Sequence, residues 1–148
     1  MKLFFDTSAL IKFFHEEIGT ENITKLINDP QNKMWISELA VIEFLNFVYR
    51  IYRESRISDE ELSNLIYEFD RECNRFTLIS LNIAVIKEAR ELLIKFGKNM
   101  PLRSLDALQL ASYNLVYENG KDWTFVTSDD RLIQILQSIS MKVINPQE

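Results

Sequence analysis

The sequence predicts an α/β fold, a three-layer α/β/α sandwich around a central parallel sheet. Three observations predict it. Five short apolar runs have strand length, and longer stretches with helical spacing of apolar residues separate them. Only three glycines and three prolines punctuate the 148 residues, which leaves room for long helices. No repeat, low-complexity tract or linker breaks the alternation, so residues 1–148 are expected to form one domain with its own core. Strands separated by helices imply right-handed crossovers and a parallel sheet covered on both faces.

Lys2 to Asp6 is the first strand run, and Asp6, Thr7 and Ser8 have the chemistry to cap a following helix. Met34 to Ser37 is the second. The helix after it is apolar around most of its circumference, through Val41, Phe44, Leu45, Val48, Ile51 and Tyr52. Ser58-Asp59-Glu60-Glu61 reads as a capping box ahead of Leu62, Leu65, Ile66 and Phe69. Phe76 to Ser80 is the third strand run. Asn82 can cap a helix with the stripe Val85, Ala89, Leu92, Leu93 and Phe96, and Gly97 is its expected stop. Pro101 precedes Ser104, the expected cap of a helix carrying Leu105, Leu108, Ala111 and Leu115. Trp123 to Thr127 is the fourth strand run. Asp129-Asp130 then begins a helix leading to Leu132, Ile135 and Leu136, and Lys142 to Asn145 is the last strand run.

Composition removes several classes of chemistry. A single cysteine, Cys73, excludes an internal disulfide and a thiolate metal cluster. With Phe69 and Phe76 nearby in sequence, it reads as a partly buried structural thiol. His15 is the only histidine and closes an aromatic run, where a helix-end or surface role fits better than catalysis. No apolar stretch is long enough to span a bilayer, and Asp6 interrupts the N-terminal apolar run too early for a signal peptide, so a cytoplasmic location without membrane contact is expected. The net charge of −5 disfavours tight constitutive nucleic-acid binding. It leaves a nuclease open, because a bound cation reverses the sign that a phosphate meets at a carboxylate cluster.

Four carboxylates carry the functional signal: Asp6, Glu43, Asp106 and Asp129. In parallel α/β sheets ligands bind beyond the carboxyl ends of the strands. Asp6 and Asp129 follow strand runs and Asp106 opens a helix, so folding can bring all four to one edge. Each Asp also has a plain structural reading as a helix cap or first-turn acid. Glu43 shares a narrow polar stripe with Asn46 and Arg50, which is either a solvated strip or the wall of a wet cleft. Two carboxylates roughly 4 Å apart repel by about 4 kcal/mol at an effective dielectric near 20. A cluster therefore needs protons or a cation. Oxygen donors without nitrogen or sulfur suit Mg²⁺ or Mn²⁺, which activate water and orient phosphate.

Four segments also carry a resemblance: DTSAL at Asp6 to Leu10, SELAVIEF at Ser37 to Phe44, RSLDALQLA at Arg103 to Ala111, and TSDDRL at Thr127 to Leu132. In this order and spacing the chain resembles the PIN-domain nucleases, specifically the VapC-type toxins of type II toxin–antitoxin pairs. The resemblance implies a PIN-like sandwich, a Mg²⁺ or Mn²⁺ pocket, and hydrolysis of single-stranded RNA by a metal-activated water. It assigns Asp6 and Asp106 to the best-defined metal acids, Glu43 to the acid of the third helix and Asp129 to the variable fourth, with Asp130 as the fallback. Ser8 and Thr127 match supporting hydroxyl positions. It further implies a homodimer and a small antitoxin lying in a helical groove. The broad apolar face from Val41 to Tyr52 reads either as that interface or as ordinary core. Arg50, Arg53 and Arg56 read either as a path for RNA phosphates or as solvated surface.

Other classes fit less well. A non-catalytic binding module of the same fold and a housekeeping PIN nuclease without an antitoxin are the alternatives. An aspartyl-phosphate phosphatase needs a second Asp two residues after the first, where this chain has Ser8. A receiver-type domain wants an acidic pair that Phe5-Asp6-Thr7 lacks. Gly19, Gly97 and Gly120 stand alone, which removes dinucleotide and P-loop motifs.

Overall fold

The computed structural model describes residues 1–119 and 121–148; Gly120 lies outside the described residues. Strands β1 (Lys2–Phe5), β2 (Lys33–Ser37), β3 (Thr77–Ile79), β4 (Trp123–Val126) and β5 (Val143–Ile144) form one sheet, in the order β3-β2-β1-β4-β5. Every pairing is parallel. Four of the five predicted strand runs contain one of these strands, and β2 begins one residue before the run that starts at Met34. Asp6 and Thr127, expected as strand ends, lie one residue past the strands: their amides still donate to the Val126 and Ile144 carbonyls, while their side chains accept from the helix and loop that follow.

Helices α1 (Thr7–Phe14), α2 (Thr20–Asn28), α3 (Glu38–Arg53) and α4 (Asp59–Cys73) cover one sheet face; α5 (Ile83–Phe96), α6 (Ser104–Val116) and α7 (Asp130–Ser138) cover the other. The alternation of β1 divides the core between them. Leu3 and Phe5 join Leu10, Ile23, Phe44 and Phe69 on the first side, and Phe4 joins Val85, Tyr113 and Leu132 on the second. This is the predicted three-layer α/β/α sandwich. Within the first layer Phe44 of α3 stacks on Phe69 of α4 with ring centroids 4.0 Å apart, which fixes the helix that carries Glu43.

Local signals explain most helix ends. Ser58 Oγ accepts the Glu61 N–H at 3.1 Å and Glu61 Oε1 accepts the Ser58 N–H at 3.2 Å, so both halves of the predicted capping box form. Asn82 Oδ1 accepts the Val85 N–H at 3.1 Å. Gly19 precedes α2 at φ 97°, and a Cβ there would stand 2.8 Å from the Pro146 carbonyl oxygen, so both backbone and space require glycine. One expectation is corrected: Ser104 is the first residue of α6, and Arg103 occupies the cap. The physical reason is Asp106, whose Oδ2 reaches back to accept the Arg103 N–H at 3.3 Å, leaving no need for a hydroxyl cap.

The chain winds outward from β1 to β2 and β3, then crosses to β4 on the other side of β1. The connections therefore diverge between β1 and β4, and a crevice opens beyond their carboxyl ends.

Candidate active site

Asp6 lies at that crevice. It caps α1, its Oδ1 accepting the Ala9 N–H at 2.9 Å and the Ser8 hydroxyl at 2.8 Å. The parallel register pairs Phe5 with Val126, which sets Thr127 opposite Asp6, and the Thr127 hydroxyl donates to Asp6 Oδ2 at 2.6 Å. Burial raises the Asp6 carboxyl pKa to about 6; the three hydrogen bonds hold it down in part, and the charge of Asp129 adds to the rise. The cap reading and the cleft reading of Asp6 are thus both true of one side chain.

Glu43 projects from α3 toward the same place. Its Oε1 accepts the Thr7 hydroxyl at 2.8 Å and the Gln109 amide Nε2 at 2.8 Å, and that amide also donates to Thr7 Oγ1 at 3.0 Å. Three elements, α1, α3 and α6, are tied at this carboxylate. Asp106, in the first turn of α6, uses Oδ2 for both contacts with Arg103, the backbone N–H and the guanidinium Nε at 3.1 Å. Asp129 caps α7, its Oδ1 accepting the Arg131 N–H at 2.9 Å. Arg103 Nη2 stands 3.5 Å from Asp129 Oδ2, so one guanidinium touches two acids.

All four acids line one cleft of ≈ 400 Å³, together with Asn46, Arg50 and Arg103. The polar stripe of Glu43, Asn46 and Arg50 is therefore a cleft wall. Asp130 is exposed and off the cleft, as are Arg53 and Arg56; the arginine path expected from sequence reduces to Arg50, because Arg53 faces solvent at the end of α3 and Arg56 lies beyond it. Ser8 supports Asp6 as expected. His15 caps the end of α1 against Phe47, away from the acids. Cys73 is half-buried, and burial pushes its thiol up to about 11, with Asp70 adding to the rise, so it is inert.

Sequence reasoning missed Thr7, Gln109 and Arg103. The signal was present for two of them: Arg103 and Gln109 stand three positions before and after Asp106, hence on its side of the helix.

The donor set fits a hard cation. Among the described residues, hydrogen bonds reach only Oε1 of Glu43 and only Oδ2 of Asp106, so Glu43 Oε2 and Asp106 Oδ1 keep their lone pairs for a cation or its waters. No three Asp, Glu, His or Cys side chains among the described residues close tightly enough to surround an ion by themselves.

Four carboxylates line one crevice at the switch point of a parallel α/β/α sandwich. The sequence profile of the PIN domain matches residues 3–135, and the chain belongs to that family. Solved structures with this fold include VapBC-1 from nontypeable Haemophilus influenzae, at 12% identity with 100% of each chain covered and a TM-score of 0.67. VapBC2 from Rickettsia felis, bound to a DNA fragment from its promoter, is similar at 16% identity, 98% of each chain and a TM-score of 0.66. FitAcB from Neisseria gonorrhoeae is similar at 14% identity, 97% of each chain and a TM-score of 0.67. At these identities the likeness is one of fold. No curated protein matches the chain. Among the described residues no helix is long and apolar enough to cross a membrane.

Proposed function

We propose that this chain is a Mg²⁺- or Mn²⁺-dependent endoribonuclease cutting single-stranded RNA, or the unpaired parts of structured RNA, and that it is the toxin of a VapBC-type pair. The observation that carries the reading is the convergence of Asp6, Glu43, Asp106 and Asp129, far apart in sequence, on one open cleft. In this reading residues 1–148 act as one unit, in the cytoplasm and without membrane contact.

A bound divalent ion supplies Lewis acidity, a water of lowered pKa and compensation for charge on the departing oxygen. The chain supplies placement. Asp6, held by three donors, presents a carboxylate whose orientation is fixed before substrate arrives. Glu43 is locked by Thr7 and Gln109 so that its free oxygen faces the cleft chemistry rather than rotating. Asp106 completes the set opposite, and Asp129 closes it from α7. Arg50, over the Phe47 ring at 5.5 Å, offers a fixed positive charge on the wall where a phosphate enters.

The partner assignments have support of a different kind. Ile42 on α3 is 65% exposed, and Ile86 and Ile94 on α5 are 56% and 62% exposed. Exposed apolar side chains on opposite layers suit two partners, a small antitoxin and a second copy in a homodimer. The antitoxin is part of the proposal because several similar structures are of toxin–antitoxin complexes.

The test is cleavage of single-stranded RNA by the partner-free protein with Mn²⁺, with Mg²⁺ and with chelator, beside Asp6→Asn. Metal-dependent cutting that the variant loses supports the reading. Absence of cutting on a broad RNA pool with either ion, combined with tight RNA binding, points instead to a binding module of the same fold.

A further inference from the structure

The most unusual member of the cleft is a cation that belongs to the chain. Arg103 Nε lies 3.1 Å from Asp106 Oδ2, and its Nη2 lies 3.5 Å from Asp129 Oδ2. These acids come from α6 and α7, 23 positions apart in sequence, and one side chain bridges them. Arg103 sits on the loop before α6 with 60% of its side chain exposed, while the Asp106 side chain it contacts is only 10% exposed. The guanidinium is thus anchored at the mouth by charge rather than by packing. Arg50 lines the cleft but contacts none of the four acids among the described residues, and Arg131 reaches only Asp129, at 3.6 Å.

We infer that Arg103 is a displaceable resident cation: it neutralises Asp106 and Asp129 when no divalent ion is bound, and the like charge of a bound ion repels it from them. The inference rests on the metal-centre reading above and goes beyond it by assigning a competitor to the metal. The electrostatics follow from the repulsion among the acids. Unpaired, Asp106 and Asp129 would raise each other's energy in a partly dry cleft. One guanidinium with a planar fork answers both, where an ammonium would answer one. A divalent ion carries twice the charge, but its arrival weakens the attraction of Arg103 to both acids and adds like-charge repulsion, which lowers the net affinity. The exposed stem lets the guanidinium swing out into solvent without disturbing the core.

The experiment measures Mn²⁺ binding by electron paramagnetic resonance and by titration calorimetry on the wild type, Arg103→Gln and Arg103→Lys, with no RNA present. Arg103→Gln is expected to bind Mn²⁺ about fivefold more tightly than the wild type, the scale of a partly exposed ion pair removed from the competition. Arg103→Lys, keeping charge but not the fork, is expected to fall between them. Thermal melting is the second readout: Arg103→Gln should melt lower than the wild type without metal, and gain more on Mn²⁺ addition. Equal or weaker Mn²⁺ binding by Arg103→Gln overturns the inference while leaving the metal-centre reading standing, since it makes Arg103 a support of Asp106. Absence of Mn²⁺ binding by wild type and variants alike overturns both.

Discussion

Thr127 and Asp6, 121 positions apart, are joined by a 2.6 Å hydrogen bond in which the threonine hydroxyl donates to a buried carboxylate. The bond exists because β1 and β4 are neighbours in register, Phe5 beside Val126. It is the shortest of the three hydrogen bonds that hold Asp6, and it also ties the loop carrying Asp129 to the end of β1, since Thr127 Oγ1 accepts the Asp129 N–H at 3.0 Å.

Replacing that hydroxyl by a methyl group should therefore act on ionisation. In Thr127→Val the Asp6 carboxylate loses a charge-assisted hydrogen bond worth about 1.5–3 kcal/mol. Its pKa rises further above the wild-type value of about 6. The acidic limb of the pH profile of metal-dependent cleavage should move to higher pH. A profile unchanged in position would mean that Asp6 ionisation does not limit the reaction.

The raised Asp6 pKa has a defined consequence for stability. The folded protein holds this proton more tightly than the unfolded chain, from 3.8 up to about 6. Stability contributed by protonated Asp6 is full below pH 4 and is lost as pH rises through about 6, by about 3 kcal/mol. Metal-free Asp6→Asn, which keeps a good cap residue, should lack this decline and melt above the wild type at pH 7. Thermal melts of both proteins between pH 4 and 7 check it; parallel curves would place the titrating group elsewhere.

Gln109 offers a separation of catalysis from folding. Gln109→Leu removes a donor to Glu43, and loss of such orienting partners typically slows metal-dependent chemistry about 10- to 100-fold. It also removes the amide oxygen Oε1, which is buried with no hydrogen-bond partner among the described residues. Stability should thus hold within about 1 kcal/mol. Single-turnover cleavage beside urea unfolding tests both halves, and a parallel loss of stability would make Gln109 a structural residue.

The adjacent acids Asp129 and Asp130 should behave differently. Asp129 lines the cleft and contacts Arg103, whereas Asp130 is exposed on the first turn of α7. Asp129→Asn should weaken Mn²⁺ binding and cleavage several-fold. Asp130→Asn should change both by less than about twofold, the small effect of an exposed first-turn acid. Reversed effects would exchange their roles.

The sequence by itself determined the alternation of strands and helices, and with it the layered sandwich, because apolar period and cap residues are local properties. Lys2, Ser58, Asn82 and Trp123 each begin or cap the element their neighbours predict. It also singled out Asp6, Glu43, Asp106 and Asp129, whose residue types limit the available chemistry. Local pattern misled at Ser104, where a first-turn acid replaced the expected hydroxyl cap, and at Arg53 and Arg56, whose spacing did not show that Arg53 faces solvent at the end of α3 and that Arg56 lies past it. Only the tertiary structure decided the strand order β3-β2-β1-β4-β5, and that order makes Asp6 the neighbour of Thr127 and opens the crevice between β1 and β4. It alone decided that Gln109 holds Glu43 and that Arg103 bridges Asp106 and Asp129. Strand pairing and helix packing couple residues a hundred positions apart through burial and shared hydrogen bonds, and one-dimensional periodicity contains no term for that coupling.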